Sequence, residues 1–159
     1  MTNARVDAAD LVRRYLDDVF SHGNVSAMDR YLRGEAFQDR VAELVRRWRS
    51  AFSDFHITVG DVITDQHWVV SVETLSGTHD GVYHSRIGPI EPTGRHVTWS
   101  RISIRTLDGD RFIDGFFEED ELGLLDQLGA LVRDAAATSR GWHSPLSVER
   151  RGEPPPESS

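Results

Sequence analysis

RHVTWSRISIRTLDGDRFIDGFFEEDELGLLDQL, residues 95–128, decides the fold class. From Arg95 to Leu107 apolar residues alternate with polar ones and are rich in β-branched and aromatic types, which predicts a long strand. Asp108-Gly109 is a tight hairpin dipeptide, because Gly accepts the positive φ such a turn needs, so the chain reverses into a second strand over Arg111–Glu119. The period then lengthens. Leu122, Leu124, Leu125, Leu128, Leu131 and Val132 recur at helical spacing, predicting a helix from Glu121 to about Ala137. Strands joined by a hairpin pair antiparallel, and a helix set apart from them gives an α+β architecture.

Working outward, residues 55–64 (FHITVGDVIT) and His67–Thr78 read as two more strands. Asp80–Gly94 between them and the long strand holds three Gly and two Pro and reads as a long connection. Upstream the period is 3.6. Leu11, Val12, Tyr15, Leu16, Val19 and Phe20 mark a helix over Ala8–Phe20, a shorter one covers Val25–Leu32, and Phe37, Val41, Leu44, Val45, Trp48 and Phe52 form the stripe of a third over Glu35–Phe52. Helices first, then strands, then one helix, with no internal repeat, suit a curved antiparallel sheet wrapped around N-terminal helices. Such a sheet can leave a hollow lined by one strand face.

The 159 residues suit one domain, and their balance of 26 acidic to 18 basic side chains, net −8, disfavours a surface that neutralises phosphates. No nucleic-acid partner is expected. There is no Cys, and all 18 basic residues are Arg. Thiolate nucleophiles, Cys-ligated metals, Schiff bases and a P-loop lysine are thereby excluded. No stretch reaches the roughly 20 apolar residues of a membrane span, and the opening MTNARVDAAD has no signal-like apolar segment, so no membrane partner and a cytoplasmic location are expected. Residues 138–159 (TSRGWHSPLSVERRGEPPPESS) lose the hydrophobic period, and we expect a disordered tail after a domain of residues 1–137.

The runs SDFHITVGDVI, SGTHDG, EPTGRHVTWSRISI and LDGDRFIDGFFEEDELGLLDQLG resemble the SnoaL-like polyketide cyclases of the NTF2-like superfamily, over roughly Val12–Leu131. The resemblance implies an NTF2-like cone that is often a homodimer, a deep apolar cavity for a small-molecule substrate, and acid/base chemistry without a cofactor. It also implies a place in antibiotic biosynthesis. In the region of the second strand where the resembled proteins tend to carry a pocket Trp, this chain has Glu73.

Carboxylates, His and Tyr are the remaining candidates for chemistry. Alternation places Phe112, Asp114, Phe116 and Glu118 on one strand face. An Asp between two Phe in an apolar wall would have its pKa raised towards neutrality, which makes Asp114 the first candidate acid or base, with Glu118 nearer the rim. Glu73 shares a face with Val69, Ser71, Leu75 and His79, although Trp68, Val70 and Val72 would serve equally as the buried face. His96 shares its face with Thr98, Ser100, Ile102 and Ile104 and could relay a proton. Tyr15 and Tyr83 could donate to a substrate oxygen, and Trp48, Phe52, Trp99 and Phe116 could line a cavity for a flat apolar ligand or serve as plain core. No H-x-H pair or H-E-x-x-H helix occurs, so no metal is expected. Neither G-x-S-x-G nor G-x-G-x-x-G is present, which leaves hydrolase and dinucleotide folds unsupported. Two functions fit: a cofactor-free cyclase or isomerase acting on a polyketide-like molecule, or a non-catalytic binding or accessory protein of the same fold.

Overall fold

The structure is a computed structural model and describes residues 7–131. Helix α1, Ala8–Tyr15, starts where the Asp7 carboxylate accepts from the Ala9 and Asp10 amides. Its axis continues as a π-helical turn over Leu16–Ser21, a widening that the 3.6 period of the sequence did not predict. A 3₁₀ segment over Val25–Arg30 stands where the short second helix was expected. Helix α2 spans Glu35–Ala51 and buries Phe37, Val41, Val45 and Trp48, the stripe read from the sequence.

Four strands form one antiparallel sheet in the order β1-β2-β5-β6: β1 His56–Thr64, β2 Trp68–Thr78, β5 His96–Asp108 and β6 Arg111–Glu119. The segment between β2 and β5 is more ordered than its Gly and Pro content predicts. It holds a small hairpin of β3, Tyr83–Ser85, and β4, Gly88–Ile90. Helix α3 spans Glu121–Leu128 and ends early, because Gly129 takes the left-handed conformation (φ 75°) and its amide returns to Leu125 and Asp126. The expected continuation to Ala137 is therefore cut short at Leu128. Its far end and the expected tail, residues 138–159, lie outside the described residues. Among the described residues no helix is long and apolar enough to cross a membrane.

The helices cover one face of the sheet. Val69, Ser71, Glu73 and Leu75 of β2, and Val97, Trp99, Arg101, Ser103 and Arg105 of β5, point into that inner face and are buried. On β6 the alternation breaks. Thr106 pairs with Asp114 but Leu107 pairs with Phe112, so Ile113 is an extra residue, a β-bulge. Before the bulge Phe112 faces inward; after it Gly115, Phe117 and Glu119 lie opposite the inward Arg105, Ser103 and Arg101. Asp114, Phe116 and Glu118 consequently belong to the outer face. The expectation that Phe112, Asp114, Phe116 and Glu118 share one face is corrected by that single inserted residue.

Two clusters fill the inner layer. Trp48, Phe52, Phe55, Tyr83 and Trp99 pack with ring centroids 5.1–6.1 Å apart under the β3–β4 hairpin. At the other end Tyr15 meets Phe20, Tyr31 and Phe112 at 5.6–5.8 Å.

Candidate active site

Between α1, its π-helical extension, α2 and the inner faces of β5 and β6 lies a cavity of about 380 Å³. That volume is in the range of small-molecule sites. Its walls are apolar: Phe20, Phe37, Val41, Leu44 and Phe117, with Gly115 and Phe116 along β6. The π-helical turn brings Phe20 to this wall. The polar lining is Tyr15, Arg40, Ser103, Arg101 and Arg105, with no carboxylate among the lining residues.

Glu73 organises the arginines from beneath. Its side chain is fully buried, and the register that sets Glu73 opposite Arg101 and Val69 opposite Arg105 brings both guanidinium groups to it. Oε2 accepts from Arg101 Nε at 2.7 Å and lies 2.6 Å from Nη2, and it also takes the Ser103 hydroxyl at 3.1 Å. Oε1 accepts from Ser71 Oγ at 2.6 Å and Arg105 Nη2 at 2.9 Å. Burial alone would push this carboxyl up, but Arg105, Arg101 and the Ser71 hydroxyl outweigh it and hold the pKa down to about 2. Glu73 is therefore an anion near neutral pH with both oxygens occupied, a geometry suited to holding arginines rather than to removing a proton. Arg101 Nη1 is buried and has no hydrogen-bond partner. Its guanidinium lies 4.8 Å from the Phe117 ring and 5.6 Å from Phe20, both cavity walls.

Tyr15 is 2% exposed, and burial pushes its hydroxyl up to about 12 against the opposing pull of Arg105 and Arg101. At neutral pH it remains an O–H donor. Of the other residues proposed from the sequence, Asp114 lies outside the apolar sandwich expected for it. Its carboxylate pairs with Arg40 Nη2 at 2.7 Å, and both side chains are about two-thirds exposed (66% and 64%). The burial expected for it is absent. His96 is exposed on the outer face of β5, its Nδ1 3.4 Å from Thr78 Oγ1, and Glu118 is exposed on the outer face of β6. Phe116 edges the cavity and is 60% exposed. Trp48, Phe52, Tyr83 and Trp99 are core residues of the aromatic cluster and do not line the cavity. Burial raises the Tyr83 hydroxyl, whose oxygen lies 3.4 Å from Glu121 Oε1. His79 is buried, its Nδ1 3.1 Å from Thr93 Oγ1, and burial lowers its pKa. Among the described residues no group of His, Asp and Glu is placed to hold a metal ion.

Sequence reading missed Arg101, Arg105 and the walls formed by Phe20, Phe37, Val41, Leu44 and Phe117. A signal existed for the arginines. They lie two and six residues after Trp99 on a strand whose alternation buries Val97 and Trp99, so they had to point inward, and an inward Glu73 on the neighbouring strand demanded a counter-charge.

Comparison with known proteins agrees with this fold. The solved structure of TsrD from Streptomyces laurentii is 26% identical, with a TM-score of 0.68, covering 80% of this chain and 98% of that one. A SnoaL-like protein from Jannaschia superposes with a TM-score of 0.69 at 16% identity, covering 83% and 98%. A SnoaL-like polyketide cyclase from Agrobacterium tumefaciens does so at 0.62 and 13%, covering 76% and 97%. No protein of curated function matches. The family model for the SnoaL-like polyketide cyclases matches residues 9–128, which is most of the chain, and the chain belongs to that family.

Proposed function

We propose that the protein is a cofactor-free cyclase or isomerase of secondary metabolism, acting on a flat, polyketide-like carbonyl compound held in the cavity. One observation carries this reading: the ionic side chains of an otherwise apolar cavity are arginines, and two of them are fixed in place by a buried carboxylate. With no carboxylate or imidazole in the cavity lining, a C–H beside a carbonyl gives its proton to a water at the cavity mouth, and negative charge moves to the carbonyl oxygen. Arg105 and the Tyr15 hydroxyl are donors preset to receive it, with the positive charge of Arg101 beside them. Glu73 is a positioning residue in this scheme, since it acts through the arginines. The Phe20, Phe37 and Phe117 walls would hold a planar ligand by its faces.

The reading includes a homodimer formed through the outer face of the sheet. Support comes from Ile63 (70% exposed), Trp68 (48%) and Ile102 (52%), which together with Phe116 leave an apolar surface on neighbouring strands. Monomeric soluble proteins seldom expose such patches.

Mass spectrometry of small molecules that co-purify with the protein tests the assignment. The expected result is a polycyclic or polyene carbonyl compound at near-stoichiometric occupancy. A preparation free of any such compound, together with failure to bind one when it is added, would overturn it.

A further inference from the structure

The cationic floor of the cavity is over-supplied with donors. Two buried guanidinium groups share one carboxylate, and among the described residues Glu73 is the one acidic group within ion-pair distance of Arg101. Arg101 is 2% exposed, yet Nη1 and its two N–H bonds have no protein acceptor. An unpaired buried donor on a charged group is costly, more so than on a neutral one. Glu119 lies opposite Arg101 on β6, but its Oε2 is directed to Trp99 Nε1 at 3.4 Å. Burial raises the Glu119 pKa against the opposing pull of Arg101. Arg40 at the cavity edge is already paired with Asp114.

We infer that the ligand of this cavity is an acid, whose carboxylate is received by Arg101 while its planar body lies along the apolar walls. A neutral carbonyl could accept one N–H but would leave the positive charge uncompensated; a carboxylate accepts the N–H and brings the opposite charge as well. With the carboxylate on Arg101, a carbonyl oxygen nearby in the same molecule falls to Arg105 and Tyr15. The substrate class is thus a flat aromatic or polyene acid bearing a carbonyl near its carboxylate. The inference rests on the proposed function in placing the ligand in this cavity, and it adds the permanent charge.

Isothermal titration of the full-length protein with naphthoate and with methyl naphthoate separates the two ideas, because the probes share a body and differ in charge. The acid should bind tighter than the ester by ten- to a hundredfold, the scale of a charge-assisted hydrogen bond. Arg101→Met, in which Glu73 keeps Arg105 as a partner, should bring the acid down to the affinity of the ester and so erase the preference. Leu44→Trp, which fills the wall opposite the floor, should weaken both probes and so locate them in the cavity. Equal binding of acid and ester by the wild type, a comparison that needs no variant, would overturn the inference and leave the cavity reading standing. A preference that survives in folded Arg101→Met would overturn it too, since the charge would then be read elsewhere. Failure of both probes to bind at millimolar concentration would overturn the inference together with the reading beneath it.

Discussion

Replacing Glu73 by glutamine would leave Arg101 and Arg105 buried beside a neutral amide. Breaking a buried ion pair by removing one partner costs about 3–5 kcal/mol, and Glu73→Gln should lower stability by that amount in urea unfolding. The pH dependence carries the same signature. The folded pKa of about 2 lies below the ordinary 4.5, so the stabilisation is complete above pH 4.5 and is lost as pH falls towards 2. The wild type should therefore lose stability steeply across that interval, and Glu73→Gln should show a shallower slope there. Equal slopes would mean that Glu73 is not held as an anion by the arginines. This residue was legible in the sequence as an inward-facing candidate because alternation ties it to Val69 and Leu75. Its purpose was not legible, since that depends on which residues of β5 stand opposite, a matter of register between strands 18 or more residues apart.

The elements themselves were largely readable, because period and turn chemistry are local properties. The stripe of α2, the Asp108-Gly109 turn and the four main strands all follow from them. What escaped was the phase of β6. The bulge at Ile113 adds one residue without any Gly or Pro to mark it, and a shift of one residue exchanges the two faces of a strand. Asp114 went outward for that reason and Phe117 came to the cavity. The connection before β5 was misread for a related reason: its glycines serve close packing as well as turning. Gly81 donates to the Ala51 carbonyl at 3.0 Å, and a Cβ there would lie 1.8 Å from the Ser50 carbonyl oxygen. Neither backbone can yield without parting the β3–β4 hairpin from the end of α2. Gly81→Ala should cost at least about 1–3 kcal/mol, seen as a lower melting temperature by circular dichroism. An unchanged melting temperature would show that this docking contributes little to stability.

At the scale of the whole molecule the sheet separates two surfaces with different tasks. Its inner face carries the Glu73 cluster and the cavity; its outer face carries Trp68, Ile102 and Phe116. If the outer face joins two copies, Ile102→Asp should convert a dimer to a monomer in size-exclusion chromatography with light scattering, while the inner face and its ligand binding stay intact. A dimer that persists would place the interface elsewhere. If the arginines facing the cavity stabilise negative charge on a bound carbonyl compound, removing one should slow loss of the neighbouring C–H proton. Deuterium exchange at the C–H beside the carbonyl of 2-tetralone, a neutral bicyclic ketone, followed by NMR in heavy water, measures that step without knowledge of the natural substrate. The protein should accelerate exchange over buffer, and Arg105→Met should lose about a hundredfold to a thousandfold of that acceleration, the scale set by removing one preset donor to an oxyanion. Exchange at the wild-type rate in folded Arg105→Met would contradict that role.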